Sequence, residues 1–268
     1  METTREQVLR LSNRDGTMTQ SFRTRLNRGD TLFGSLVTLA TAECAELMAL
    51  AGCDWLFLDF EHGGPDLSLA QRMIQAIADR SHPVVRIPAH DEIWIKKCLD
   101  FGAAGIIAPH VNTRDEAENI VRLSKYAPRG CRGVGAGRAH QYGIRFEEYL
   151  REANDSTAVV VQIEHPTAVE NVESILAVNG LDAVFVGPYD LSTALGLPGQ
   201  VTHPLVMEHI SRVVEAARRF NKPAGIFGVS AEEVKPYLLQ GFTLIAAGVD
   251  TTFLLNGVKK TLEKLRTA

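Results

Sequence analysis

Eight short apolar runs, at residues 31–37, 54–60, 83–87, 105–108, 157–163, 182–186, 223–227 and 243–247, recur along the chain, and most are separated by a segment of helical periodicity. Near-continuous apolar runs of this length suit strands buried on both faces, and a helix between strands is how a chain crosses over to lay them parallel. Eight such units in 268 residues fit an α/β fold, a single (β/α)8 barrel, which typically needs ~250 residues. The rival, a doubly wound open sheet, predicts a glycine fingerprint after the first strand, and residues 38–42 contain none. The one glycine cluster, Gly133-Val134-Gly135-Ala136-Gly137, is followed by Arg138 where the last fingerprint glycine belongs.

Residues 19–268 are therefore expected to form the barrel, and residues 1–18, which lack a strong period, an N-terminal arm or extra helix. Thr113-Arg114-Asp115-Glu116 and Ser230-Ala231-Glu232-Glu233 have capping-box spacing. Gly52, Gly102 and Gly241 stand where a left-handed residue closes a helix, while Pro236 predicts a kink or an earlier helix boundary. The stretch 109–155 exceeds a usual barrel connection and carries the glycine cluster with Arg132, Arg138, His140 and Tyr142, as a lid or substrate wall would.

Hydrophobic residues at 45% and charged ones at 22% are ordinary for a globular protein. A net charge of −4, with no Lys/Arg stripe, argues against a nucleic-acid partner. Residues 1–13 are polar and no segment approaches a membrane span, so the expected location is cytoplasmic, without a membrane partner. Four cysteines show neither C-x-x-C spacing nor scaffold density, and Cys44, Cys53 and Cys98 read as small buried hydrophobes.

The chemistry lies where the apolar runs end. Trp55-Leu56-Phe57-Leu58 empties into Asp59-Phe60-Glu61-His62, Val84-Val85 into Arg86, Val159-Val160-Val161-Gln162-Ile163 into Glu164, and Val184-Phe185-Val186-Gly187-Pro188-Tyr189 into Asp190. Charge beside a buried strand is costly, and barrel enzymes keep their reactive groups at strand ends. Glu164 and Asp190 are expected to terminate neighbouring strands; two carboxylates suit a hard divalent cation such as Mg2+ or Mn2+, although each could instead pair with an arginine or cap a helix. His62, before the Gly63-Gly64-Pro65 turn, suits a proton acceptor. Arg86 suits an oxyanion or substrate carboxylate, with an ion pair to Asp59 or Glu61 as the structural alternative.

The strings at 54–62, Pro-Val-Val-Arg at 83–86, Val-Gln-Ile-Glu at 161–164, Val-Gly-Pro-Tyr-Asp-Leu-Ser at 186–192, Arg132-Gly133-Val134-Gly135 and Gly248-Val249-Asp250 together resemble the HpcH/HpaI family of metal-dependent, class II pyruvate aldolases. The resemblance runs from about Leu26 to the C-terminus. It implies reversible cleavage of a 4-hydroxy-2-oxo acid to pyruvate and an aldehyde through a pyruvate enolate. Glu164 and Asp190 become ligands of Mg2+, Mn2+ or Co2+, His62 the proton acceptor and Arg86 the stabiliser of charge on oxygen, with Asp59 and Glu61 in support. Gln162 would contact the pyruvyl group, and Tyr189 with Asp190 its carboxylate. Asp100 matches an acid that reaches the site from a neighbouring subunit, which implies a homo-oligomer, a hexamer. Phe60 and Tyr189 depart from the family's commoner residues and would reshape the acceptor pocket. No strand-end lysine in these motifs offers a Schiff base. Two alternatives use the same site: an oxaloacetate decarboxylase or macrophomate synthase-like enzyme, suggested by Glu61-His62-Gly63-Gly64 and Ala108-Pro109-His110-Val111, and a catalytically silent barrel that binds a 2-oxo acid.

Overall fold

Successive side chains of a strand face opposite sides of its sheet, and in this chain that alternation separates two cores. In the computed structural model, which describes residues 20–64 and 66–267, eight strands close into a barrel in chain order: β1 (Leu32–Val37), β2 (Trp55–Asp59), β3 (His82–Arg86), β4 (Gly105–Ala108), β5 (Ala158–Ile163), β6 (Ala183–Val186), β7 (Ala224–Gly228) and β8 (Leu244–Val249). Every neighbouring pair is parallel. Inward residues such as Trp55, Phe57, Val84, Val160 and Phe185 fill the barrel. Their outward neighbours, among them Leu56, Leu58, Val85, Val159 and Val184, pack beneath the surrounding helices.

The inner core is aromatic where β2 and β6 face each other across the barrel. Trp55, Phe57 and Phe185 meet at centroid distances of 5.4 to 6.1 Å. Each contributes roughly 1.5–3 kcal/mol through burial. Gly34 and Gly225 make room for them: a Cβ would sit 2.5 Å from the Trp55 carbonyl oxygen at one and 2.3 Å from Phe185 Cδ2 at the other.

The helix Phe22–Asn27 plugs the bottom of the barrel. Ser21 caps it by accepting from Thr24 N–H, and Phe22 and Leu26, one turn apart, enter the inner core. Arg23 bonds Asp182 at 2.7 Å and Arg25 bonds Asp54 at 2.8 Å, tying the plug to strand entrances. His82 lies beside Phe22, buried, and desolvation pushes its pKa down to about 4.

Observed strand limits lie within two residues of those expected. Thr113 and Glu116 form the full capping box, whereas Ser230 accepts from Glu233 N–H but the Glu233 carboxylate turns to Val229 N–H. Gly52, Gly102 and Gly241 are all left-handed. Pro236 stays inside the helix Ala231–Gln240, which does not end there. Cys98 is buried, Cys44 and Cys53 are half-buried against the core, and Cys131 is exposed. The arm expected over 1–18 lies outside the described residues. Among the described residues no helix is long and apolar enough to cross a membrane.

The stretch 109–155 corrects one expectation. It contains the helices Arg114–Ser124 and Phe146–Ser156 and a short 3-10 segment, Arg138–Gly143, and the glycine cluster lies on an outer helix, not over this chain's own mouth. At Gly137 a Cβ would lie 2.8 Å from the Asp100 carbonyl oxygen, so close packing against the helix Glu92–Asp100 is what requires glycine there.

Candidate active site

The inward row that fills the barrel continues upward into polar residues. On β2, Trp55 and Phe57 are followed two positions later by Asp59; on β3, Val84 is followed by Arg86; on β5, Ala158 and Val160 are followed by Gln162 and then Glu164. The period of two thus turns one apolar interior into one polar floor. Asp59 is paired in register with Arg86. The guanidinium grips Asp59 with both arms, Nε to Oδ1 at 2.9 Å and Nη2 to Oδ2 at 2.7 Å. Its Nε also lies 3.2 Å from Glu61, and its face covers the Phe57 ring at 5.2 Å. Arg86 is held charged by these carboxylates against the opposing effect of its burial. The ion-pair alternative therefore holds, yet Nη1 remains, pointed at Gln162 Oε1 at 3.5 Å.

Gln162 donates from Nε2 to Glu164 Oε2, and the His110 backbone N–H donates to Glu164 Oε1 at 2.6 Å. Glu164 is 3% exposed. Burial raises its pKa, the charges of Asp190 and Glu61 act in the same direction, and the His110 contacts oppose them. Gly187 is what allows this approach: a Cβ there would lie 2.7 Å from Gln162 Nε2 and 2.9 Å from Glu164 Oε2. Asp190 does not end a strand. It lies in the first turn of the helix Pro188–Ala194, which the Gly187-Pro188 step starts directly above β6.

Asp59, His62, Arg86, Gln162, Tyr189 and Asp190 line one cavity of about 550 Å³, and Glu164 lies behind its wall, bonded to the lining Gln162. His62 sits on its rim with 66% of its side chain exposed, 3.9 Å from Glu61. Asp59 Oδ1 accepts from the Glu61 and His62 N–H groups, so the acid that clamps Arg86 also folds the His62 turn.

Asp100 does not join them. It closes the helix Glu92–Asp100 and bonds Arg132, Nη2 to Oδ1 at 2.7 Å. Arg132 is itself buried between Tyr126 and Tyr149. Asp100 is not among the residues that line the cavity of its own chain.

Sequence reasoning gave His110 no role, and it sits in the middle of the polar cluster. Its Nδ1 lies 3.1 Å from Glu164 and its Nε2 3.1 Å from Glu61, so the ring bridges two carboxylates. The backbone there is left-handed, with φ of 53°, uncommon for a residue with a side chain. The signal was its position two residues past β4, the place that Glu61 occupies after β2.

As a cation site, Glu164 and Asp190 form a fitting donor set: oxygen ligands only, with one desolvated carboxylate destabilised by the charge of the other, a repulsion that a divalent ion relieves. Among the described residues no group of three or more His, Cys, Asp and Glu is disposed to hold a metal by itself. The remaining positions would fall to water and substrate oxygens.

Residues 32–257 match the HpcH/HpaI aldolase/citrate lyase family. The chain belongs to this family. It is 40% identical over 236 residues to the 4-hydroxy-2-oxovalerate aldolase of Rhodococcus jostii, covering 87% of this chain and 91% of that one. A 2-keto-3-deoxy-L-rhamnonate aldolase of Escherichia coli is 39% identical over 237 residues, covering 87% and 88%. A solved HpcH/HpaI aldolase/citrate lyase family protein from Burkholderia cenocepacia superposes with a TM-score of 0.88 at 36% identity, covering 92% of this chain and 100% of that one. Family membership and the barrel agree, since the matched span begins with β1 and takes in every strand.

Proposed function

We propose that this protein is a cytoplasmic class II pyruvate aldolase, a carbon–carbon lyase that cleaves a 4-hydroxy-2-oxo acid to pyruvate and an aldehyde and runs the addition in reverse. The observation that carries this reading is the ring of Asp59, Arg86, Gln162, Glu164 and Asp190 at the top of one barrel, with His62 on the rim of the same cavity. Aldolase relatives at 39–40% identity support it.

Glu164 and Asp190 would hold Mg2+, Mn2+ or Co2+, and the cation supplies Lewis-acid stabilisation of negative charge on the 2-oxo oxygen. Arg86 adds a fixed positive charge beside that oxygen. Because Asp59 and Glu61 hold the guanidinium on Nε and Nη2, Nη1 is the group left to face substrate, and no side chain need reorganise as charge develops. Gln162, fixed between Arg86 and Glu164, orients the pyruvyl group, while the amides at Tyr189 and Asp190 receive its carboxylate. His62 takes the methyl proton of pyruvate, and in cleavage removes the 4-hydroxyl proton. None of the described cavity-lining residues is a lysine, which favours this route over a Schiff base.

Asp100 would act on the His62 of a neighbouring copy in a homo-oligomer, a hexamer on the family resemblance. The exposed apolar side chains Ile93, Val134, Tyr142 and Ile144, on the elements around Asp100, support an interface there.

A pyruvate-release assay over 4-hydroxy-2-oxo acids, with oxaloacetate as the comparison, tests the proposal. Turnover is expected to stop with a chelator, to return with Mg2+, Mn2+ or Co2+, and to favour the hydroxy acids over oxaloacetate. Glu164→Gln should weaken both Mn2+ binding and turnover by at least ~10-fold, the cost of about one charge-assisted contact. Wild-type Mn2+ affinity in that variant would refute the ligand assignment.

A further inference from the structure

The cavity is chemically lopsided. Its arc from β2, β3 and β5 is charged, whereas the arc from β6 round to β1 is lined mainly by Phe185, Tyr189, Phe227, Val229, Val249 and Leu36, with Asp190, Thr38 and Thr251 as its polar members and no cation. Tyr189 packs on Phe227 with ring centroids 6.1 Å apart. Its hydroxyl lies 3.4 Å from both carboxylate oxygens of Glu233, on the helix Ala231–Gln240. Glu233 is fixed in turn by the Val229 N–H at 2.8 Å.

Among the described residues of the lining Arg86 is the one arginine or lysine, and it is already committed to Asp59 and Glu61. A substrate tail running along the apolar arc would find no cation and would approach a carboxylate behind Tyr189.

We propose that the aldehyde handled by this enzyme carries an uncharged, mainly apolar tail, and that Tyr189, positioned by Glu233, sets the preference against aldehydes ending in a carboxylate. The inference rests on the aldolase reading: the bond formed joins the pyruvate methyl carbon to the aldehyde carbon, whose oxygen gains a proton, so the tail must lie on the side of the cavity away from the pyruvate groups. Apolar contact favours the neutral tail modestly, and the unpaired, repelled charge is the element that rejects its competitor.

Competition between butanal and 4-oxobutanoate, aldehydes with the same carbon count, tests this with pyruvate and Mn2+ in one reaction. The ratio of the two products is independent of how much enzyme is folded. Butanal should be preferred at least ~10-fold in kcat/KM. Glu233→Gln keeps an acceptor for the Val229 N–H while removing the charge, and should narrow the ratio at least ~3-fold by tightening apparent binding of the carboxylate-bearing aldehyde. Equal or reversed preference in the wild type, or an unchanged ratio in Glu233→Gln, overturns the inference. Exchange of the pyruvate methyl protons in D2O needs no aldehyde and separates the two levels. Exchange with the wrong preference sinks the tail assignment alone, whereas no exchange with the wild type sinks the aldolase reading on which it rests.

Discussion

Arg86 has both a structural and a chemical role, and the two can be pulled apart. In Arg86→Ala, Asp59 keeps its Glu61 and His62 N–H donors on Oδ1 but loses two guanidinium bonds while 1% exposed. A buried carboxylate stripped of its cation costs ~3–5 kcal/mol, or about 10 °C in Tm for a domain of this size. Replacing the whole pair by apolar residues, Arg86→Met with Asp59→Leu, removes the stranded charge but also the acceptor of the Glu61 and His62 N–H groups, so only part of that loss should return. Glu61 tolerates the change because its His110 contact at 3.1 Å remains. Turnover should follow a different pattern. Both variants lack the guanidinium beside the reacting oxygen and should lose at least ~100-fold in kcat, the scale for one fixed donor to a developing oxyanion. Thermal melts and the pyruvate-release assay on the same preparations decide the matter. Arg86→Ala melting within about 2 °C of wild type would refute the energetic argument, and near-normal turnover in the apolar pair would show that Arg86 is structural only.

Gly187→Ala should move Glu164 and Gln162, because the added Cβ has 2.9 and 2.7 Å where neither side chain can retreat far; Mn2+ affinity, read by EPR titration, is expected to fall at least ~10-fold with a stability loss of ~1–3 kcal/mol. Unchanged affinity would place the cation elsewhere. His82 has a folded pKa pushed down to about 4 by desolvation, against ~6.5 unfolded. Between those values the unfolded chain binds more protons, so stability is full above pH ~6.5 and falls by a total of ~3 kcal/mol as pH drops towards 4. Urea titrations of wild type and His82→Phe across that window should diverge; parallel curves would contradict the assignment.

The barrel was legible because its strands have no solvent face. A strand buried on both sides must be apolar throughout, so the eight runs stood out without any help from periodicity, and β4 was recovered residue for residue. Their polar ends were legible for the same reason: Asp59 and Gln162 end apolar inward rows, Glu164 extends the second, and Arg86 follows Val84. The Gly133–Gly137 loop was misjudged because length and glycine content report a close approach without saying to what. Here the partner is the end of the helix Glu92–Asp100, which precedes β4 in the chain while the loop follows it.

His110 marks the limit of reading strands one at a time. After β4 comes Pro109-His110, which carries no fixed charge and fits no catalytic spacing with its sequence neighbours. Its role arises only on closure, when β4 pairs with β3 and β5 and brings the loop between the acids that follow β2 and β5. A left-handed backbone at a β-carbon residue costs of order 1 kcal/mol, and His110 adopts it at φ 53°. The N–H bond to Glu164 and the ring's two carboxylate contacts offset that cost, and both depend on residues more than 45 positions away. Strand patterns therefore locate the polar floor of such a barrel, whereas the groups that bridge it are fixed by the order in which the strands meet.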